Sequence, residues 1–375
     1  MDLSISKKLP HIPESIYPVM TDLAKKHKAI NLAQGFPSYA VDKELMALVN
    51  KHMLGGKNQY APMMGVPELR RNLAYKMEEL YGCSYDPGKE ICITAGATQG
   101  IFTAVSTIIN KGDEVIIIDP AFESYEPVIK FNGGKVKRSP LMSQSFEIDW
   151  EDIASKVTNK TRMLIVNTPQ NPTGKVFTVE DIQKLREIVS NTNIIILSDE
   201  VYEHIVFDGK KHESISKYPD LAERSYIVYS LGKTYHITGW RLGYVCAPKE
   251  LMREFIRSHQ YQVYSVPTPL QHAVAEYILK KEKYLELPQF FQDKRDFFLK
   301  CIEGSKFTPA PCSGSYFQLL NYSAITQEND VEFAKRLTIE NKVASIPISL
   351  FYEKKRQDHM LRFCFAKNLD DLERG

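Results

Sequence analysis

The chain has 375 residues, of which 43% are hydrophobic and 25% charged, with a formal net charge of +2. These values describe an ordinary soluble globular protein, long enough to form two lobes. They exclude a global electrostatic pull toward nucleic acid or an acidic membrane surface, and no apolar run approaches the roughly 20 residues that cross a bilayer.

In chain order, the N-terminus (Met1-Asp-Leu-Ser-Ile-Ser-Lys-Lys8) lacks the apolar core of a signal peptide. A β-rich run at 91–94 precedes a helical stretch at 98–110, and a second run at 114–119 precedes an amphipathic stretch from Phe122. Three further apolar runs follow at 162–167, 193–198 and 226–229. Runs so continuously apolar suit strands buried on both faces, as in a mostly parallel sheet covered by helices. From 267 to 303 the pattern is helical, with Pro288 expected to kink or divide it. A strand-like run at 314–320, a helix near 330–341 and a strand at 360–365 complete the C-terminal third. Residues 369–375 stop where a helix starts, an expectation that the true C-terminus lies further on. The pattern predicts an α/β protein. Its large domain, 41–287, carries a mostly parallel sheet flanked by helices, and residues 1–40 and 288–375 form a smaller α+β domain.

Six scattered cysteines form no C-x-x-C pair, which predicts free thiols in a reducing cytoplasm, with Cys92, Cys246 and Cys364 buried in apolar runs. None of the nine histidines stands at metal-ligand spacing, so no metal is expected. The short basic run Lys354-Lys355-Arg356 reads as a solvated face.

Polar residues collect where the apolar runs end, and ligands of open α/β sheets bind beyond the carboxyl ends of the strands. After 91–94 comes Ala95-Gly-Ala97-Thr98, a helix start able to hold a phosphate on its free N–H groups. After 114–119 comes Phe122, a ring able to stack on a flat heterocycle. After 162–167 a tight turn sets Asn171 between prolines, and 193–198 ends in Asp199, a poorly solvated carboxylate that needs a cationic partner.

The segment Ser230-Leu-Gly-Lys233-Thr, with Arg241 eight residues beyond the lysine, places a hydroxyl, an amine and a guanidinium close together. Gly232-Lys233-Thr234 is not a P-loop, because Ile227 stands where that loop needs glycine. Ser230-x-x-Lys233 lacks the Ser-Asp-Asn and Lys-Thr-Gly partners of penicillin-recognising enzymes. The set suits an amine that condenses with an aldehyde beside groups that grip a phosphate ester. Pyridoxal 5'-phosphate carries both.

The chain resembles the fold-type I pyridoxal-phosphate aminotransferases. The resemblance is to the subgroup of kynurenine/glutamine aminotransferases, cysteine-conjugate β-lyases and bacterial methionine aminotransferases. It rests on Asn31-Leu-Ala-Gln-Gly-Phe-Pro37, Asn58-Gln-Tyr-Ala-Pro62, Asn167-Thr-Pro-Gln-Asn-Pro-Thr-Gly174, Ser198-Asp-Glu-Val-Tyr-Glu-His204, Ser230-Leu-Gly-Lys-Thr and Leu361-Arg-Phe-Cys-Phe-Ala366.

The resemblance implies that Lys233 is the cofactor-bound amine and later moves the substrate Cα proton, with a pKa lowered by the cationic ring and Arg241. It implies Asp199 on the ring nitrogen, Tyr202 and Asn171 on the phenolic oxygen, and Phe122 on the ring face. Ala97, Thr98, Ser230 and Arg241 hold the phosphate, and Tyr60 reaches the phosphate of a neighbouring subunit, making each site the product of a homodimer. Arg362, with Gly35 and Asn171, clamps the substrate α-carboxylate. Tyr17, Phe122 and the partner's Tyr264 line the side-chain pocket. That pocket favours methionine, with glutamine, phenylalanine, tyrosine and kynurenine as further donors to a 2-oxo acid. Ser265, where relatives acting on kynurenine carry histidine, speaks against the last. Elimination from a cysteine S-conjugate on the same site is the alternative.

Overall fold

A computed structural model describes residues 7–10, 12–142, 145–353 and 356–375. Residues 1–6 of the N-terminal segment and the basic pair Lys354-Lys355 lie outside the described residues.

A short strand, β1 (Ile30–Asn31), comes first. Seven strands of one large sheet follow: β2 (Ile91–Thr94), β3 (Glu114–Asp119), β4 (Lys135–Pro140), β5 (Thr161–Asn167), β6 (Ile195–Asp199), β7 (Ser225–Tyr229) and β8 (Gly243–Cys246). Their order is β2-β8-β7-β6-β5-β3-β4. Every neighbour pair is parallel except the two made by β8, which is antiparallel to β2 and to β7. Strands β2, β3, β7 and β8 are buried along their whole length, as a sheet covered on both faces requires.

Two of these strands, β4 and β8, are absent from the sequence expectation. Strand β4 is an edge strand of Lys135, Lys137 and Arg138, so it carries no apolar run. Strand β8 is four residues long and begins on Gly243.

The remaining strands are β9 (Thr308–Pro309), β10 (Phe317–Asn321), β11 (Val343–Ala344), β12 (Ile346–Pro347) and β13 (Met360–Cys364). Four of them form an antiparallel sheet of order β12-β13-β10-β9, while β1 pairs in parallel with β11. The helix Ile16–His27 packs on the helix Asp330–Glu340. The N-terminal segment is thereby joined to the C-terminal third.

The helical stretch near 267–303 is three helices, Thr268–Tyr277, Glu282–Leu285 and Leu287–Cys301. Of the two outcomes expected at Pro288, division is the one found: one helix ends at Leu285 and the next begins at Leu287. Pro288 occupies the first turn of the last one, where its missing N–H costs nothing. The helix expected from Phe122 begins at Tyr125, and residues Leu369–Arg374 are helical.

Local chemistry positions the helix Ala97–Ile108 against the sheet. Gly100, Ile101, Ala104 and Val105 recur at helical spacing and are buried. A Cβ on Gly100 would lie 2.9 Å from Val245 of β8, so the helix sits as close as glycine allows. No helix among the described residues is long and apolar enough to cross a membrane. All six cysteines are free, with Cys92, Cys246 and Cys364 buried. No group of metal-ligating side chains forms among the described residues.

Candidate active site

A cavity of about 300 Å³ opens where the parallel strands end. It gathers residues from four strand ends of the large sheet and from the smaller sheet: Thr98 after β2, Phe122 after β3, Asp199 closing β6, Lys233 after β7, and Arg362 in β13. Ala97, Asn171, Tyr202, Ser230, Arg241, Gly35 and Tyr17 line the same space. Tyr60 and Tyr264 do not. They form an exposed edge-to-face pair with ring centroids 5.5 Å apart, away from this cavity.

At the Arg241 side, the helix Ala97–Ile108 starts at Gly96 with a φ of 77° and with no side-chain cap on its first N–H groups. A Cβ on Gly96 would meet the Arg241 guanidinium at 2.6 Å, so only glycine permits that approach. Arg241 itself takes a left-handed backbone (φ 54°) at the end of the turn Thr238–Trp240 and donates through Nη1 to Thr238 O at 3.0 Å. Ser230 caps the short helix Leu231–Thr234, its Oγ accepting from the Lys233 backbone N–H at 3.2 Å. Uncapped N–H groups, a guanidinium and two hydroxyls on one side of a cavity are the donor set a phosphate monoester requires.

Lys233 Nζ donates to Gly35 O at 3.0 Å and to the Tyr316 hydroxyl at 2.7 Å. Its pKa falls from 10.5 to about 8, first because of burial and then because Arg241 and Arg362 repel a third cation. The expectation that the cofactor ring and Arg241 lower it is corrected to that extent: burial comes first. Asp199 accepts from the Tyr125 hydroxyl at 2.6 Å and from the Val201 N–H at 3.3 Å. Burial pushes it up to about 6, and among the described residues no cation pairs with it. Among the described residues, no side chain forms the ion pair with Asp199 expected from sequence. A protonated ring nitrogen would supply such a partner, and Tyr125, which the sequence did not single out, holds the carboxylate in place. Tyr202 is buried, and its pKa is raised by that burial.

Arg362 is fully buried. Nη1 donates to Tyr17 OH at 3.0 Å and to Asn171 Oδ1 at 2.7 Å, Nη2 to Ala33 O at 3.0 Å, and the guanidinium lies 3.9 Å from the Phe317 ring centre. Its Nε has no partner, and among the described residues it forms no ion pair. A buried guanidinium without a carboxylate is costly unless an anionic ligand completes it. Asn171 is itself fixed, its backbone N–H donating to Asn167 Oδ1 at 2.9 Å.

A space with donors for a phosphate, a carboxylate lacking its cation, a guanidinium lacking its anion and an amine poised between them fits pyridoxal 5'-phosphate together with an amino acid. The site and the doubly covered sheet define a fold-type I pyridoxal-phosphate enzyme.

Residues 27–375 match the family model of aminotransferase class I and II, and the chain belongs to that family. It is a pyridoxal-phosphate-dependent aminotransferase. The methionine aminotransferase of Escherichia coli K12 is 42% identical over 366 residues, covering 97% of this chain and 95% of that protein. Kynurenine–oxoglutarate transaminase 1 of Mus musculus is 32% identical over 406 residues, covering 98% and 95% respectively. Among solved structures, YbdL of Escherichia coli, identified as having a methionine aminotransferase function, superposes with a TM-score of 0.97. It is 41% identical and is covered to 98%, against 100% of this chain.

Proposed function

We propose that the protein moves the α-amino group of a neutral amino acid, methionine foremost, to a 2-oxo acid. The observation that carries this reading is Arg362, a buried cation that forms no ion pair among the described residues, hydrogen-bonded to Tyr17 and lining the same cavity as Lys233. The named relatives that act on methionine and kynurenine support it.

When bound, the cofactor withdraws electrons from the substrate Cα and carries the amino group between the two half-reactions. This chain supplies the rest. Arg362 receives the α-carboxylate in a two-pronged pair and, with Asn171 and Tyr17 fixing its plane, orients the substrate Cα. Lys233 would hold the cofactor through its amine and, when that amine is free, would take and return the substrate Cα proton. With a pKa of about 8, its amine keeps a sizeable neutral fraction near neutrality. Asp199 would keep the ring nitrogen protonated, and Tyr202 and Asn171 would donate to the phenolic oxygen. Ala97, Thr98, Ser230 and Arg241 would hold the phosphate, and Phe122 would pack on the ring.

The working unit in this reading is a homodimer in which Tyr60 and Tyr264 of each copy reach the other copy's cavity. Their exposure, 83% and 51%, supports it. Residues 41–287 act as one domain and residues 1–40 with 288–375 as the other. Six free cysteines support a place in the reducing cytoplasm.

The test is turnover of purified enzyme with methionine, phenylalanine, kynurenine and aspartate against one 2-oxo acid. Methionine is expected to lead and aspartate to trail. A preference for aspartate overturns the reading, and pyruvate plus thiol from a cysteine conjugate, with no amino acid formed, replaces it by elimination.

A further inference from the structure

Glu123, the residue after Phe122, also lines the cavity, together with Tyr17, Gln34 and Arg362. Its carboxylate is held across 108 residues of sequence by Ser15, whose Oγ donates to Oε1 and Oε2 at 3.0 and 2.9 Å. Ser15 also caps the helix Ile16–His27, accepting from Tyr17 N–H at 3.3 Å, and the Tyr17 hydroxyl in turn accepts from Arg362. The carboxylate is thus anchored to the same segment that flanks the α-carboxylate clamp. Burial raises its pKa above the ordinary carboxylate value, and the Ser15 hydroxyl and the field of Arg362 oppose that rise.

Three cations line the cavity: Lys233, Arg241 and Arg362. Arg241 crowds the start of the helix at Gly96, Lys233 is the amine, and Arg362 takes the α-carboxylate. Among the described residues no further cation lines the cavity to receive a second carboxylate, whereas the carboxylate of Glu123 does line it.

Given the amino-group transfer set out above, we propose that Glu123 is a specificity residue that rejects amino acids and 2-oxo acids whose side chains end in a carboxylate. Ser15 fixes the charge in place so that an incoming anion cannot push it aside. Selectivity then comes from repulsion as much as from fit.

The experiment compares glutarate with pentanoate, two chains of equal length differing by one carboxylate, titrated calorimetrically into cofactor-loaded enzyme. In Glu123→Gln the ratio of the glutarate to the pentanoate dissociation constant falls about tenfold, equivalent to about 1.4 kcal/mol. Glu123→Asp, which keeps the charge, moves that ratio far less. The ratio kcat/KM for glutamate over methionine rises in Glu123→Gln in the same sense. A glutarate-to-pentanoate ratio in Glu123→Gln within twofold of the unmodified enzyme overturns the proposal. Equal shifts in Glu123→Gln and Glu123→Asp, which indicate packing rather than charge, also overturn it. If the unmodified enzyme binds glutarate more tightly than pentanoate, the neutral-substrate reading itself fails, and the two failures are thereby told apart.

Discussion

Replacing Arg362 by lysine keeps the positive charge and removes the fork. In the structure the guanidinium spends three hydrogen bonds on Tyr17, Asn171 and Ala33, at 3.0, 2.7 and 3.0 Å, and lies 3.9 Å from the Phe317 ring centre. Those contacts fix its plane before substrate arrives. A lysine ammonium has no plane to fix and meets a carboxylate through a single point. Hydrogen bonds to charged groups are worth about 1.5–3 kcal/mol each, so losing one of a pair, with the orientation it gives, costs about 3 kcal/mol. At 1.4 kcal/mol per factor of ten, kcat/KM for methionine falls about a hundredfold. Steady-state turnover with methionine and a 2-oxo acid reads this directly, with pentanoate binding as an independent check on the ground state. Cofactor content is expected to stay at the level of the unmodified enzyme, because Arg362 does not touch the phosphate side. A variant whose kcat/KM stays within threefold of the original refutes the assignment of Arg362 as the carboxylate clamp.

Tyr125→Phe removes the 2.6 Å donor to Asp199 and is expected to raise the cofactor dissociation constant about tenfold, as equilibrium dialysis would show. An unchanged constant removes Tyr125 from the account. The Lys233 amine, with a pKa of about 8 instead of 10.5, sets a pH dependence: only the neutral amine attacks an aldehyde. The rate at which apoprotein takes up cofactor therefore rises with pH through about 8 and levels above it. A rate still climbing in proportion through pH 10 contradicts the shift. Lys76 and Glu203 form a buried ion pair at 2.5 Å, with side chains 4% and 3% exposed. Glu203 also accepts from Tyr81 at 2.5 Å. Lys76→Ala takes the lysine from that buried carboxylate, leaving it the Tyr81 hydroxyl and the His204 ring at 3.4 Å, and is expected to cost about 3 kcal/mol in urea unfolding. A loss below about 1 kcal/mol shows that the cluster relaxes.

The five apolar runs were legible because parallel strands covered on both faces have no polar side to break the pattern. Their ends were legible too. A strand-end carboxylate or lysine has few structural reasons to exist, and Asp199 and Lys233 stood out for that reason. Strand β4 stayed hidden because its face is lysine and arginine, although Arg138 pairs there with Asp119 and Glu126. Tyr125 stayed hidden because its aim at Asp199, 74 residues away, depends on the helix starting at residue 125 and not at Phe122. Tyr316 and the Ser15–Glu123 contact arise only when the smaller sheet and the N-terminal helix close over the large one. No local spacing encodes such meetings. Likewise, burial as the first cause of the Lys233 shift is a property of the closed cavity and not of the motif around it.

Everything turns on Lys233 as the residue that carries the cofactor. Borohydride reduction of the loaded enzyme, followed by digestion and peptide mass mapping, reads that link directly. The pyridoxyl mass is expected on the peptide containing Lys233 alone, and Lys233→Ala is expected to carry none. The same mass on another lysine of the unmodified enzyme, or covalent cofactor persisting in Lys233→Ala, contradicts the account.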